Sequence, residues 1–256
     1  MMNMRRFVPI VTAVALAISI PQSPLATTSA HDMEGFPPII RDFSAQETSA
    51  LCDEIEARAK DIQTITVSFR QERNLAMFEK PLESRGRCVL QTPDKLRLET
   101  TEPYHSILIA QKRKVAKYEE IGGKWKKLNL GGAEVILKIT DEIGNWMRGR
   151  FREHPDAYAI SARQTPAFTI TLTPKNEDFL KFISAIEITL DEKKERPVLL
   201  IVREPGGDFT RMEFSDYKVN EPIDAALFDA SGAAPAALSR VNGGENHPDA
   251  KPAKLP

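Results

Sequence analysis

From Thr64 to Tyr217 large apolar residues return again and again at every second position, and this alternation limits the fold more than any other feature of the chain. Ile65, Val67 and Phe69 alternate with Thr64, Thr66, Ser68 and Arg70, so one side of an extended segment faces a core and the other faces water. The same period recurs over Arg87 to Gln91, Leu96 to Thr101, Ser106 to Ala110, Val115 to Ile121 and Lys124 to Leu130. It resumes at Tyr158/Ile160, Phe168/Ile170/Leu172, Ile186/Ile188/Leu190, Val198 to Val202 and Phe209 to Tyr217. Gly122-Gly123, Gly206-Gly207 and Thr92-Pro93-Asp94 are turn sequences of the kind that join neighbouring antiparallel strands. Crossover helices between successive strands, which a parallel sheet needs, are missing. About eleven antiparallel strands are expected, with Ala76 to Leu82 left open.

Two segments carry a helical period instead. Ser44 with Glu47 three residues on forms a capping box, and Leu51, Ile55, Ala59 and Ile62 then recur at three- to four-residue spacing over about 18 residues. Between two blocks of strands, Ala133 to Gly149 sets Ile136, Ile139, Ile143, Trp146 and Met147 on one apolar stripe after Gly131-Gly132. A mainly β fold follows: an open, incomplete antiparallel barrel whose apolar face is covered by these two helices. With no Pro/Gly/Ser-rich linker around the second helix, residues 44–229 form one expected domain.

The chain ends differ from this domain. Arg5 and Arg6 precede about fourteen uncharged, mostly apolar residues, the pattern of a secretory signal, with cleavage expected after Ala30. Residues 1–30 are therefore expected to be a signal peptide and 31–43 a short leader. From Ala230 to Pro256 large apolar residues are nearly absent, and a disordered tail is expected there. Loss of the signal removes two of the 35 basic residues and none of the 36 acids, leaving a net charge of about −3. Such a balanced surface argues against nucleic-acid binding. A soluble protein of a bacterial periplasm is the expectation.

Chemistry that would mark an enzyme is absent from the sequence pattern. His31, His105, His154 and His247 are scattered, and neither a zincin motif nor a Cys-x-x-Cys pair occurs. There is no nucleophile elbow, phosphate loop or dinucleotide fingerprint. Neither a catalytic group, a metal nor a cofactor is implied. Cys52 and Cys88 are either a disulfide, worth roughly 3.5 to 4 kcal/mol across a loop of about 36 residues, or two buried thiols. Lys112, Arg113, Lys114 and Lys117, with Lys124, Lys126 and Lys127, form a basic cluster at two hairpin ends. It fits either an anionic partner or a solvated edge guarded against strand pairing.

Several of these segments resemble one family. The run Ile65-Thr66-Val67-Ser68-Phe69-Arg70-Gln71-Glu72 is similar to the first strand of the outer-membrane lipoprotein carrier (LolA) family, with its Phe-x-Gln ending. Thr92-Pro93-Asp94-Lys95-Leu96-Arg97-Leu98-Glu99, followed by Glu102-Pro103 and Ser106-Ile107-Leu108-Ile109, resembles the family's proline-to-arginine segment and next strand. Leu172 to Lys175 and Asn220 to Phe228 extend the likeness, which covers roughly residues 50 to 229. The resemblance implies a periplasmic carrier that shields lipoprotein acyl chains, or another lipid, on the way from inner to outer membrane. It implies loading by an inner-membrane ABC-type release complex, unloading to an outer-membrane receptor, and no covalent chemistry. Monomeric behaviour suits such a shuttle. A periplasmic regulatory or lipid-sensing binding module on the same scaffold is the alternative. The family's lid-bonding arginine before the turn proline is replaced here by Thr92, and Arg97 is a candidate latch or polar contact. Candidate cavity residues are Val67, Phe69, Leu96, Leu98, Ile109, Ile170, Leu172 and Phe214; candidate lid residues are Leu51 and Ile55, then Ile136, Ile139, Ile143, Trp146 and Met147.

Overall fold

The computed structural model describes residues 39–130 and 133–231. The expected signal sequence, most of the expected leader, Gly131-Gly132 and residues 232–256 lie outside the described residues. The described residues form twelve strands: β1 (Arg41–Asp42), β2 (Thr64–Asn74), β3 (Leu82–Gln91), β4 (Lys95–Glu102), β5 (Ser106–Gln111), β6 (Lys114–Ile121), β7 (Lys124–Leu128), β8 (Tyr158–Gln164), β9 (Phe168–Pro174), β10 (Ala185–Leu190), β11 (Pro197–Arg203) and β12 (Phe209–Val219). They form one antiparallel sheet in the order β1-β8-β9-β10-β11-β12-β2-β3-β4-β5-β6-β7. Because β1 and β7 are its two unpaired ends, the sheet is not closed.

Its order follows from two meanders. The first runs outward from β2 to β7 by hairpins; the second returns from β8 to β12, which pairs along β2 from Phe209↔Asn74 to Val219↔Ile65. A helix, α2 (Ala133–Met147), bridges the two meanders, while α1 (Ala45–Ala59) precedes the first. The Ser44 hydroxyl accepts from the Glu47 N–H at 3.2 Å and the Glu47 carboxylate accepts from the Ser44 N–H at 2.8 Å, so the expected capping box starts α1. The helix spans 15 residues, three fewer than its periodicity suggested. At the end of α2, Gly149 adopts φ +70°, a left-handed conformation that favours glycine.

Three features depart from the sequence reading. The expected leader ends inside the sheet, where Arg41 and Asp42 pair with Gln164 and Arg163 and so cover the free edge of β8. Residues 76–81 are a loop, and only Leu82 of the segment left open belongs to a strand. A short helix, α3 (Glu177–Leu180), and a 3-10 turn at Ala225–Phe228 had no period long enough to read.

Both long helices lie on one face of the sheet. Leu51, Cys52 and Ile55 of α1 and Trp146 of α2 pack among Phe69, Ile170, Leu172, Ile186 and Ile188. Met147 joins a second cluster with Ile65, Val67, Cys88, Leu90 and Leu96. On the opposite face Val89, Ile107, Ile109 and Tyr118 are covered by Leu227 and Phe228 of the C-terminal segment. The expectation of a disulfide is corrected here: Cys52 and Cys88 are free, buried thiols placed in different clusters. Burial raises their pKa values, to about 11 for Cys52 and about 12 for Cys88, so both behave as small apolar residues.

Candidate functional site

The site lies between α2 and strands β4 and β5. Register fixes which residues reach it: Leu96 pairs with Ala110 and Leu98 with Leu108, so these four share the helix-covered face, and Arg97 and Ile109 share the other. Leu96, Leu98 and Leu108 meet Ile136, Ile139, Thr140 and Ile143 of α2 around an enclosed cavity of about 10 Å³. That is room for about one water, and an apolar lining gives a water too few partners. Leu96 and Thr140 also line a second, open cavity of about 600 Å³ at the mouth of the sheet. The mouth has an apolar floor of Ile65, Leu90, Leu96, Ala110 and Leu137, and a rim that includes Lys95, Arg113, Lys138 and Arg148.

Of the expected cavity residues, Leu96 and Leu98 border the enclosed cavity. Val67, Ile170 and Leu172 are completely buried in packed clusters. Phe69 and Phe214 are cross-strand partners in the same packing, and the Phe69 ring lies where a Cβ on Gly86 would meet it at 2.6 Å. Ile109 is on the wrong face: it is buried under the C-terminal segment with Tyr118 and Phe228. The residue it displaced, Leu108, was hidden because Ser106 to Ala110 is buried on both sides and its alternation is blurred.

The expected lid divides in the same way. Ile136, Ile139 and Ile143 face the enclosed cavity, whereas Trp146 and Met147 are anchored in the core. Leu51 and Ile55 are buried in the core under α1 rather than against the cavity. Where α2 ends, a Cβ on Gly149 would come within 2.5 Å of Ile55 Cγ2, so the two helices are in close contact at that point.

Arg97, the candidate latch or polar contact, makes polar contacts away from the lid, and Thr92, which stands in place of the family's arginine, is bonded elsewhere as well. The Thr92 hydroxyl is 2.7 Å from Gln63 Oε1, and its N–H donates to the Gln63 carbonyl at 2.9 Å, both in the loop before β2. Arg97 is fully buried on the opposite face; it pairs with Glu99 at 2.6 Å and donates to the Leu227 carbonyl at 2.9 Å. It ties down the C-terminal segment, which Tyr118 and Lys127 also hold through the Ala230 carbonyl at 2.9 and 2.7 Å. Ala230, placed in the expected tail, is thus part of the folded domain.

A larger concavity, about 960 Å³, opens toward that opposite face, and Phe69 and Phe214 of the expected cavity residues line it together with Ile107 and Trp125. It is bordered by Arg70, which pairs with Glu72 at 2.6 Å and Glu83 at 3.2 Å, and by Arg85 with Glu102 at 3.7 Å. Among the described residues no three His, Cys, Asp or Glu side chains are grouped to hold a metal, and no helix is long and apolar enough to cross a membrane.

An open antiparallel sheet with two helices packed on one apolar face defines the class of the fold. Within that class residues 60–231 match the family described as outer membrane lipoprotein carrier protein LolA, and the chain belongs to that family. It is similar to an outer-membrane lipoprotein carrier protein of Chromohalobacter salexigens, 24% identical over 187 residues that make up 73% of this chain and 85% of that one. Among solved structures it is similar to a LolA-superfamily protein of Nitrosomonas europaea, with a TM-score of 0.40, 10% identity, and coverage of 71% of this chain and 97% of the other. It is also similar to the MucA/MucB complex of Pseudomonas aeruginosa, with a TM-score of 0.40, 12% identity and coverage of 72% of this chain; the match spans only 61% of that chain.

Proposed function

We propose that the protein is a periplasmic carrier that shields the acyl chains of lipoproteins, or of another lipid, while they move from the inner toward the outer membrane. The observation that carries this reading is the small apolar cavity between α2 and strands β4 and β5, continuous in its lining with the mouth. At about 10 Å³ the cavity holds no acyl chain as it stands, so loading requires the first turns of α2 to lift while Trp146 and Met147 stay seated. Each acyl methylene then withdrawn from water contributes about 0.8 kcal/mol, the driving force for a carrier without covalent chemistry. The family membership and the carrier named among the relatives support the same reading. Donor and acceptor are an inner-membrane ABC-type release complex and an outer-membrane receptor.

Native mass spectrometry of the protein purified from its own periplasm tests this reading. The expected result is a lipid or lipoprotein bound at about one to one, displaced by a fluorescent fatty acid. Leu108→Trp, which fills the cavity from β5, is expected to weaken uptake of that probe about tenfold or more. A protein that emerges empty and refuses the probe would instead favour the regulatory or lipid-sensing module.

A further inference from the structure

Beyond the end of α2 the chain turns back, and His154 reaches two neighbouring carboxylates of the helix. Its Nδ1 lies 2.9 Å from Glu142 Oε1 and its Nε2 lies 4.0 Å from Asp141 Oδ2. Each ring nitrogen therefore faces an acceptor. Only the imidazolium carries a proton on both nitrogens; the neutral ring has one donor and turns a lone pair toward one of the two carboxylates. The Glu142 side chain is 15% exposed, against 58% for Asp141, so Glu142 depends more on its partner. Burial, the largest cause, pushes the Glu142 pKa up, and the charge of His154 opposes that shift.

Other charges stand around the pair without replacing it. Glu153 adds negative charge beside Glu142, Lys138 is one turn earlier on α2, and Arg148 and Arg150 follow the helix. The buried Tyr158 of β8 is near enough to Glu142 to feel its charge. Arg152 is turned to Asp53 and Glu56 of α1, and Lys175 donates to the Pro155 carbonyl at 3.0 Å. Among the described residues His154 is the only ion-pair partner of Asp141 and of Glu142. The contact also has a telling position. Ile136, Ile139 and Thr140, which border the enclosed cavity, precede it, and Trp146 and Met147, which root α2 in the core, follow it.

We propose that His154 is a positioning residue of the lid: its protonated ring clasps α2 at Asp141 and Glu142, so that the helix before the clasp lifts while the rest stays seated. Loss of the proton loosens the clasp and eases opening. This assignment rests on the carrier reading and adds a pH dependence to loading. The clasp needs the charged ring, so it is present toward the acid end of the interval in which histidines change charge, about pH 5 to 8, and is lost toward the alkaline end.

Hydrogen exchange of the α2 amides in the full chain, corrected for intrinsic exchange, tests the clasp between about pH 6.5 and 8, beside the rate of uptake of a fluorescent fatty acid. Protection of α2 is expected to fall about threefold over that interval, the scale of a partly exposed ion pair, while α1 is unchanged and uptake quickens by a similar factor. Two variants are expected to abolish the step in opposite ways. In His154→Gln the helix is loose at both pH values; in Glu142→Gln, whose neutral amide needs no counter-charge, it is held at both. A step that survives in His154→Gln, or two variants that loosen α2 alike, overturns the clasp. A step in protection without uptake of the probe at either pH leaves the clasp standing and overturns the carrier reading. Uptake without any step in protection overturns the clasp and leaves the carrier reading standing.

Discussion

Helices α1 and α2 are each 15 residues long and lie on the same face of one sheet, yet they are held there by different means. α1 is pinned along its length. Arg152 pairs with Asp53 at 2.6 Å and Glu56 at 2.9 Å, Lys194 pairs with Glu54 at 3.1 Å, and Arg58 donates to the Lys193 carbonyl. The polar bonds described for α2 run within the helix or to His154, just beyond its end, at 2.9 Å from Glu142. Its C-terminal residues are rooted in the core, and its first turns stand over a cavity. One helix is a wedge that completes the core, and the other is anchored in the core only by its C-terminal residues. A carrier needs both, because a shell that opens everywhere would expose its own core.

The contrast is open to direct attack. The largest effect is expected from Ile55→Ala, about 3 to 4 kcal/mol in urea unfolding, because Ile55 is fully enclosed. Ile139→Ala, on the cavity side of α2, is expected to cost about 1 kcal/mol, since its neighbourhood is already incompletely filled. Equal costs would mean that the two helices are packed alike. Gly149→Ala follows at about 2 kcal/mol: the left-handed backbone penalises any Cβ, and this one would meet Ile55 Cγ2 at 2.5 Å. Hydrogen exchange is expected to quicken in both helices, and an effect confined to α2 would show that the Gly149–Ile55 contact does not couple them. Arg152→Ala is expected to cost about 1 kcal/mol and to speed exchange in α1 alone, as a partly exposed pair of bridges allows.

The smallest effect distinguishes the helices by pH. Glu47 in the α1 capping box is held at about 2, below the usual 4.5, first by the Ser44 N–H and then by Arg41. Its contribution is present above pH 4.5 and is lost as the pH falls toward 2, so the α1 N-terminus frays in acid. Glu142 on α2 is shifted the other way by burial, with His154 opposing. A raised carboxyl favours the folded state when protonated, and its contribution is lost as the pH rises above 4.5. Once intrinsic exchange is corrected, protection of the α2 amides is expected to rise as the pH falls toward 4.5, and that of the α1 amides to fall between pH 4.5 and about 2. Parallel changes in the two helices would contradict this assignment.

Much of the site was legible where one pattern had one cause. Ile136, Ile139 and Ile143 are cavity-facing because helical spacing puts them on a single stripe, and Leu96 and Leu98 because β4 alternates cleanly. Trp146 and Met147 belong to the same stripe, and periodicity cannot tell its anchored end from its movable one. Ile109 and Leu108 were exchanged because β5 is apolar on both faces, a consequence of Leu227 and Phe228 folding back over it. Arg97 falls on the polar phase of β4, yet it is fully buried, paired with Glu99 and bonded to a carbonyl 130 residues away.

The sequence by itself determined the elements: a capped helix, strands with their turns, a second helix between two meanders, and a family. These rest on local periods and turn chemistry, which act between residues a few positions apart. Only the tertiary structure decided that β1 joins the sheet beside β8, that the cysteines stand apart, and that α1 is clamped while α2 covers a cavity. It also gathered Arg113, Lys138 and Arg148 around one mouth. Such outcomes depend on which faces meet across long stretches of chain, and a period of two or of 3.6 specifies a face without specifying what will cover it.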